Sequence, residues 1–353
     1  MASSKFILAG IMGWPVAHSR SPMLHNHWIG QHGFNGVYVL LPVDPADLPA
    51  AIKGLGALGF AGCNLTIPHK VAAMALVDRV DPVARKIGAI NTIVVEPDGS
   101  LCGTNNDGRG YVQSLLDAQP DWQADTGPVT VLGAGGGARA VIVSLAERGA
   151  REIRVCNRSF DKALALAHEF GAPVCAVPWQ QREEALSDVA LLVNTTNQGM
   201  TGQPALDLSL ARLPAHALVS DLVYVPLETP LLAAARQRGN RTVGGLGMLL
   251  NQARPAFNAW LASCRTSAPH CVEWSRRACK GRTRLPPSFR RMEQERRADL
   301  TPDSMPAPAP AAVPDSVLPP ASAQNRPCVT LRAVTSRRRA ILCCGATRVW
   351  PAP

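Results

Sequence analysis

Along the first 262 residues, short apolar runs at 6–11, 36–41 and 62–67 alternate with stretches of helical spacing at 22–31 and 45–58. Each run is of strand length, and each helical stretch opens on a proline, which a helix tolerates in its first turn. The alternation predicts parallel βαβ units. A second series begins with a run at 129–132, passes through a glycine turn into a helix over 139–148 and resumes as a strand at 152–156. A helix around 161–169 and strands at 189–194 and 217–222 extend it. From Met248 to Trp260, the residues Leu249, Leu250, Ala253, Ala256, Phe257 and Trp260 recur close to helical spacing and predict a helix with one buried face. The expected architecture is α/β with two domains, and 353 residues with 46% hydrophobic content suffice for a core in each.

The formal charge of +10 first suggests an anionic partner. Its distribution removes that reading for the folded part, because residues 1–262 hold 20 basic and 20 acidic side chains whereas residues 263–353 hold 16 and 6. That terminal stretch also carries six of the ten cysteines and lacks sustained periodicity, so it is expected to be disordered. Its arginine-rich makeup suggests an extension read through or out of frame from a GC-rich gene. Rival readings are arginines that grip nucleic-acid phosphates and a cysteine-held zinc. No run approaches the roughly 18–20 apolar residues of a membrane span, and no signal peptide is read at the start. Cys63, Cys102, Cys156 and Cys175 are widely spaced among apolar or glycine-rich neighbours, which predicts reduced structural thiols, no metal and a cytoplasmic location.

Gly133-Ala134-Gly135-Gly136-Gly137-Ala138 follows a strand and opens a helix, a G-x-G-x-x-A pattern that lets a pyrophosphate approach backbone N–H groups at a helix N-terminus. Strand, turn, helix and second strand stand at the expected spacing and point to a dinucleotide on a Rossmann unit. Where an NAD enzyme commonly places an acidic residue for the ribose, the chain reads Asn157-Arg158-Ser159. Arg158 can pair with a 2′-phosphate and stack on adenine, with Asn157 and Ser159 as hydrogen-bonding groups, so NADP is favoured over NAD.

Three polar clusters precede that unit: His18-Ser19-Arg20-Ser21-Pro22, Asn64-Leu65-Thr66-Ile67-Pro68-His69-Lys70 and Asn105-Asn106-Asp107-Gly108. In open α/β sheets the ligand crevice lies beyond the carboxyl ends of the strands, and short hydrogen-bonding side chains with one ammonium and one carboxylate suit a polyhydroxylated ligand. These clusters occur in order with Gly88-Ala89-Ile90-Asn91-Thr92, the glycine turn, Asn157-Arg158-Ser159, and the stretches from Asn194 to Met200 and Asp221 to Tyr224. Gly245-Leu246-Gly247-Met248, leading to Gln252, completes the series. Over residues 5–262 the chain resembles the shikimate dehydrogenases.

The resemblance implies an N-terminal α/β substrate-binding domain over 1–106, completed by 240–262, and a Rossmann NADP-binding domain over 107–239. It implies NADPH-dependent, reversible reduction of 3-dehydroshikimate to shikimate on the route through chorismate to aromatic amino acids. Ser19, Ser21 and Tyr224 would hold the substrate carboxylate, and Thr66, Asn91, Asp107 and Gln252 the ring hydroxyls. Lys70 and Asp107 would form the catalytic pair, with Lys70 stabilising the alkoxide as hydride arrives and supplying its proton. Thr195, Met200, Leu222, Gly245 and Met248 would surround the nicotinamide, and Gly133 to Gly137 the pyrophosphate. His18 and His69 read as structural or solvent-facing. Gly244 stands where relatives often have Asp and Trp14 where many have Asn, which leaves a broader quinate/shikimate specificity open. A non-catalytic relative with a nucleic-acid-binding tail is the other alternative, and intact Lys70 and Asp107 speak against it. A monomer or homodimer is expected, with shikimate or 3-dehydroshikimate as its small-molecule partner and neither membrane nor nucleic acid.

Overall fold

The computed structural model describes residues 6–263, in which twelve strands form two six-stranded sheets. The expectations of disorder and of an out-of-frame origin for the terminal stretch fall outside the described residues.

In the first sheet, β1 (Ile7–Gly13) lies between β2 (Gly36–Pro42) and β3 (Phe60–Leu65), all parallel. Helix α1 (Ser21–Gln31) joins β1 to β2 and α2 (Leu48–Gly54) joins β2 to β3, each with proline in its first turn. Beyond β3 the sheet is mixed. β4 (Arg79–Val80) and α3 (Pro82–Ile87) precede β5 (Thr92–Val95) and β6 (Leu101–Thr104). β5 runs antiparallel to both β3 and β6, while β4 pairs parallel with β6 at the edge. The β5–β6 pair is antiparallel because a tight turn replaces a crossover helix between them: Asp98 accepts from the Ser100 N–H at 2.9 Å, and Gly99 has φ +85°.

Helix α4 (Asp107–Ala118) leads to the second unit. There β7 (Val129–Leu132), α5 (Gly136–Glu147), β8 (Ile153–Asn157), α6 (Phe160–Phe170), β9 (Val174–Pro178), β10 (Leu191–Asn194), β11 (Leu218–Asp221), α7 (Pro230–Gln237) and β12 (Thr242–Val243) follow in turn. The strands are all parallel in the order β9-β8-β7-β10-β11-β12. All four residues of β7 are buried, as a parallel strand covered on both faces requires. The order reverses between β7 and β10, the place where an open α/β sheet forms its ligand crevice.

The last helix, α8 (Leu246–Ser263), reaches both cores. Met248 packs with the second sheet's residues, whereas Leu249, Leu250, Ala253, Phe257 and Trp260 pack with Ile7, Trp28 and Tyr38 of the first. Helix α4 fits between α5 and α8 because two of its positions lack a Cβ. A Cβ at Gly108 would lie 2.9 Å from the Ala140 carbonyl, and one at Gly110 would lie 2.8 Å from the Gln252 backbone nitrogen. The start of α4, and with it Asp107, is thereby fixed between the two sheets. Among the described residues no helix is long and apolar enough to cross a membrane.

Candidate active site

Lys70 and Asp107, 37 residues apart in the chain, meet with Nζ 2.5 Å from Oδ2. The Lys70 side chain is 17% exposed and that of Asp107 4%, so the pair opens to solvent only on the lysine side. Lys70 lies just past β3, and its backbone carbonyl accepts from the Ile90 N–H at 2.8 Å. Asp107 is the first residue of α4, where free N–H groups favour negative charge. Its own N–H donates to Asn105 Oδ1 at 2.9 Å, and its Oδ1 accepts from Asn91 Nδ2 at 2.8 Å. The same Asn91 amide reaches Gln252 Oε1 on α8 at 3.2 Å. Lys70, Asn91, Asp107 and Gln252 thus form one network from four parts of the chain. Thr66, just past the end of β3, is tied to β1 by its N–H to the Met12 carbonyl at 2.9 Å.

A second group forms beside it. Ser21 is buried at the start of α1, and its N–H donates to Ser19 Oγ at 3.3 Å. Burial pushes the Tyr224 phenol above its ordinary value, partly offset by hydrogen bonding with the Arg20 backbone and the Ser19 side chain. His69 Nε2 lies 2.8 Å from the Val43 carbonyl and His18 is exposed, so neither joins the lysine–carboxylate pair.

The glycine turn faces the same crevice. Gly133 has φ +107°, and a Cβ there would lie 2.5 Å from Thr195 Oγ1, which donates to the Leu132 carbonyl at 2.7 Å. At Gly135, the residue capping α5, a Cβ would meet nothing within 4 Å. The space above the helix's free N–H groups is therefore open, and the cradle fits a pyrophosphate. A Cβ on Gly136 would sit 3.1 Å from the Lys70 Cβ, which brings the turn up against the catalytic candidate. Leu222 approaches both Gly137 and Gly245, while Ala134 packs against the core and Met200 lies half-buried in the loop after β10. At the end of β8 the Asn157 side chain donates to the Ser159 carbonyl at 2.8 Å, leaving Arg158 exposed beside it. Beneath the crevice Asp221 accepts from Thr229 Oγ1 at 2.7 Å and from Asn194 Nδ2 and the Val223 N–H at 3.0 Å. Burial nonetheless pushes its carboxyl up to about 6. Among the described residues no group of three or more His, Cys, Asp or Glu is placed to hold a metal ion.

Four residues given no role from the sequence lie directly behind the site. Tyr38 donates to Asn64 Oδ1 at 2.7 Å, and Asn64 Nδ2 donates to the Asn91 carbonyl and to Thr92 Oγ1, both at 3.1 Å. The Asn106 N–H donates to Asn91 Oδ1 at 3.0 Å. Asn64, Thr92 and Asn106 stand in the polar motifs noted from the sequence, and for Tyr38 the available signal was a phenol inside an apolar strand, which must find a partner when buried.

The profile for the shikimate dehydrogenase substrate binding domain matches residues 11–93, and that for shikimate / quinate 5-dehydrogenase matches residues 117–201. The chain is 54% identical over 258 residues to the shikimate dehydrogenase (NADP(+)) of Paramagnetospirillum magneticum, covering 73% of this chain and 94% of that one. It is 52% identical over 264 residues to the enzyme of that name from Rhodospirillum rubrum, covering 74% and 93%. Among solved structures, shikimate 5-dehydrogenase from Thermus thermophilus in complex with NADP(H) and shikimate matches with TM-score 0.64 and 38% identity, over 77% of this chain and 99% of that one. Quinate dehydrogenase from Corynebacterium glutamicum in complex with NAD matches with TM-score 0.67 and 30% identity, over 78% and 99%.

Proposed function

The chain belongs to the shikimate dehydrogenase family of NADP-dependent oxidoreductases, which interconvert shikimate and 3-dehydroshikimate, and we propose that Lys70 and Asp107 are its catalytic pair. The observation that carries this reading is the nearly buried ammonium–carboxylate contact at 2.5 Å, set against the glycine turn. NADPH, when bound, supplies the hydride. Lys70 presents its Nζ proton to the carbonyl oxygen of the substrate as negative charge grows there, and a positioned acid contributes roughly 10²- to 10⁴-fold. Asp107 aims the ammonium and is itself aimed by Asn91.

Thr66, Asn91, Asp107 and Gln252 hold the ring hydroxyls, and Ser19, Ser21 and Tyr224 the carboxylate. Backbone N–H groups from Gly133 to Gly137 hold the pyrophosphate, with Asn157, Arg158 and Ser159 on the 2′-phosphate. Thr195, Met200, Leu222, Gly245 and Met248 line the nicotinamide end. Residues 1–106 with 240–262 form the substrate-binding domain and 107–239 the cofactor-binding domain, with Asp107 and Tyr224 reaching the substrate and Gly245 and Met248 the cofactor from across that boundary, and β12 of the second sheet lying within the returning segment. The protein works as a monomer or homodimer in the cytoplasm. The charge balance of residues 1–262 gives no grip on nucleic acid.

The test is cofactor reduction, followed by nicotinamide absorbance, with shikimate or quinate and NADP⁺ or NAD⁺, in wild type and Lys70→Ala. Rapid turnover of shikimate with NADP⁺ that collapses in the variant is expected. Equal turnover of quinate would refute the substrate assignment, and an active Lys70→Ala would refute the assignment of the pair.

A further inference from the structure

We propose that Tyr38 is a positioning residue for the Lys70–Asp107 pair, acting through a one-directional hydrogen-bond chain that runs from its hydroxyl through Asn64, Thr92 and Asn91 to Asp107. The inference rests on the catalytic reading of that pair.

Tyr38 is on β2 and Asn64 on β3, with β1 between them. In register, Tyr38 stands beside Ala9 of β1, and the small alanine lets the buried ring reach across to Asn64. Three independent holds fix that ring. The Asn26 amide bonds both to the Tyr38 carbonyl, at 2.9 Å, and to its N–H, at 2.8 Å. His25, fully buried with neither ring nitrogen hydrogen-bonded, stacks on it at 4.2 Å and 13°. The third hold is the hydroxyl itself, at Asn64.

The polarity of the chain matters more than its length. Because the phenol donates to Asn64 Oδ1, the amide must present Nδ2 to Thr92 Oγ1. Thr92 then has its single proton free for Asn91 Oδ1, at 2.9 Å. With its oxygen held by Thr92 and by the Asn106 N–H, Asn91 turns Nδ2 toward Asp107 Oδ1, leaving Oδ2 to Lys70. Mere packing would need none of this directionality. Without the hydroxyl, Asn64 Oδ1 loses its donor. If the amide rotates, its oxygen takes the Thr92 proton and Asn91 loses one of its two donors. The Asn106 N–H remains, so the loss is partial.

The experiment compares wild type, Tyr38→Phe, Thr92→Val, the double variant and Lys70→Ala, measuring kcat, KM for shikimate, the pH profile of kcat, NADP⁺ affinity and melting temperature. Tyr38→Phe is expected to lower kcat about 3- to 10-fold, the worth of one buried hydrogen bond, with a displaced pH profile and NADP⁺ affinity kept. In the Thr92→Val background the same change should alter kcat less than about twofold, because the two residues act in series. A lowered kcat with an unmoved pH profile, or losses that multiply in the double variant, would overturn the proposal in favour of a structural role. Should Tyr38→Phe fail to fold, Thr92→Val decides: a displaced pH profile supports the chain and a wild-type profile overturns it. Turnover retained in Lys70→Ala would bring down the catalytic reading and the proposal together. A dead Lys70→Ala beside an unaltered Tyr38→Phe would remove the positioning role alone.

Discussion

The two sheets contribute unlike materials to one crevice. The first, together with the flanking helices α4 and α8, supplies side chains in a web, with Lys70, Asn91, Asp107 and Gln252 each satisfied by another side chain from a distant part of the sequence. The second supplies backbone: a turn of glycines, open N–H groups at the start of α5, and an arginine at the surface. A web of side chains can place one proton donor within a fraction of an ångström, which acid catalysis requires. A backbone cradle suits a phosphate group, whose charge is recognised by many N–H dipoles.

The largest effect that separates the halves is expected from Lys70→Ala, which should reduce kcat by roughly 10²- to 10⁴-fold and leave NADP⁺ binding intact. Isothermal titration with NADP⁺ beside steady-state kinetics checks this. If NADP⁺ affinity fell in parallel with kcat, the division of labour would be wrong.

Gly133→Ala attacks the other half. A left-handed φ and an approach of 2.5 Å to Thr195 Oγ1 make the added methyl strained, at a cost of about 1–3 kcal/mol. A lower melting temperature and weaker NADP⁺ binding are expected, with Lys70 and Asp107 undisturbed. Wild-type NADP⁺ affinity in this variant would show that the turn does not hold the phosphates.

Arg158→Ala should act more narrowly. Removal of a charge-assisted contact with the 2′-phosphate is worth roughly 1.5–3 kcal/mol, or about 10- to 150-fold in kcat/KM for NADP⁺, with NAD⁺ unaffected. Equal losses with both cofactors would assign the arginine to something other than the 2′-phosphate.

Legibility follows the same division. The glycine turn was readable because strand, turn and helix are contiguous, and β7 runs over the residues 129–132 that its apolar run marked. The clusters carrying Lys70 and Asp107 were also visible, but as polar residues after strands; their pairing as catalytic groups came from family resemblance. The mixed part of the first sheet was not read, although Pro97-Asp98-Gly99 between two apolar runs is a hairpin signal. How Tyr38, Asn64 and Thr92 join one another was beyond reach for a stronger reason. Their contacts depend on the lateral order β2-β1-β3-β5, and no local pattern encodes which strands become neighbours. The closeness of α4 to α5 and α8, set by Gly108 and Gly110, was hidden likewise, since a glycine in a helix reads as a weakness until the opposing backbone is seen.

The smallest expected effects concern stability, and they set the halves against each other in pH. In the first, burial among Tyr38, Trp28, Phe257 and Trp260 lowers His25 from an ordinary 6.5 to about 3. Between those values the unfolded chain binds the proton that the folded one refuses, so this contribution is complete above 6.5 and is lost as pH falls toward 3. In the second, Asp221 rises from 3.8 to about 6. There the folded state holds the extra proton, so the contribution is complete below 3.8 and is lost as pH rises through 6. Each group changes stability by up to about 1.4 kcal/mol per pH unit inside its window, and between about pH 4 and 6 the two slopes oppose one another. His25→Leu should therefore be more destabilising, relative to wild type, near pH 7 than near pH 4.5. Asp221→Asn should show the reverse, because a neutral amide imitates the protonated acid at neither cost nor gain with pH. Thermal melts of the three proteins at the two pH values decide it, and gaps that stay constant between them would show that neither buried group titrates as its surroundings dictate.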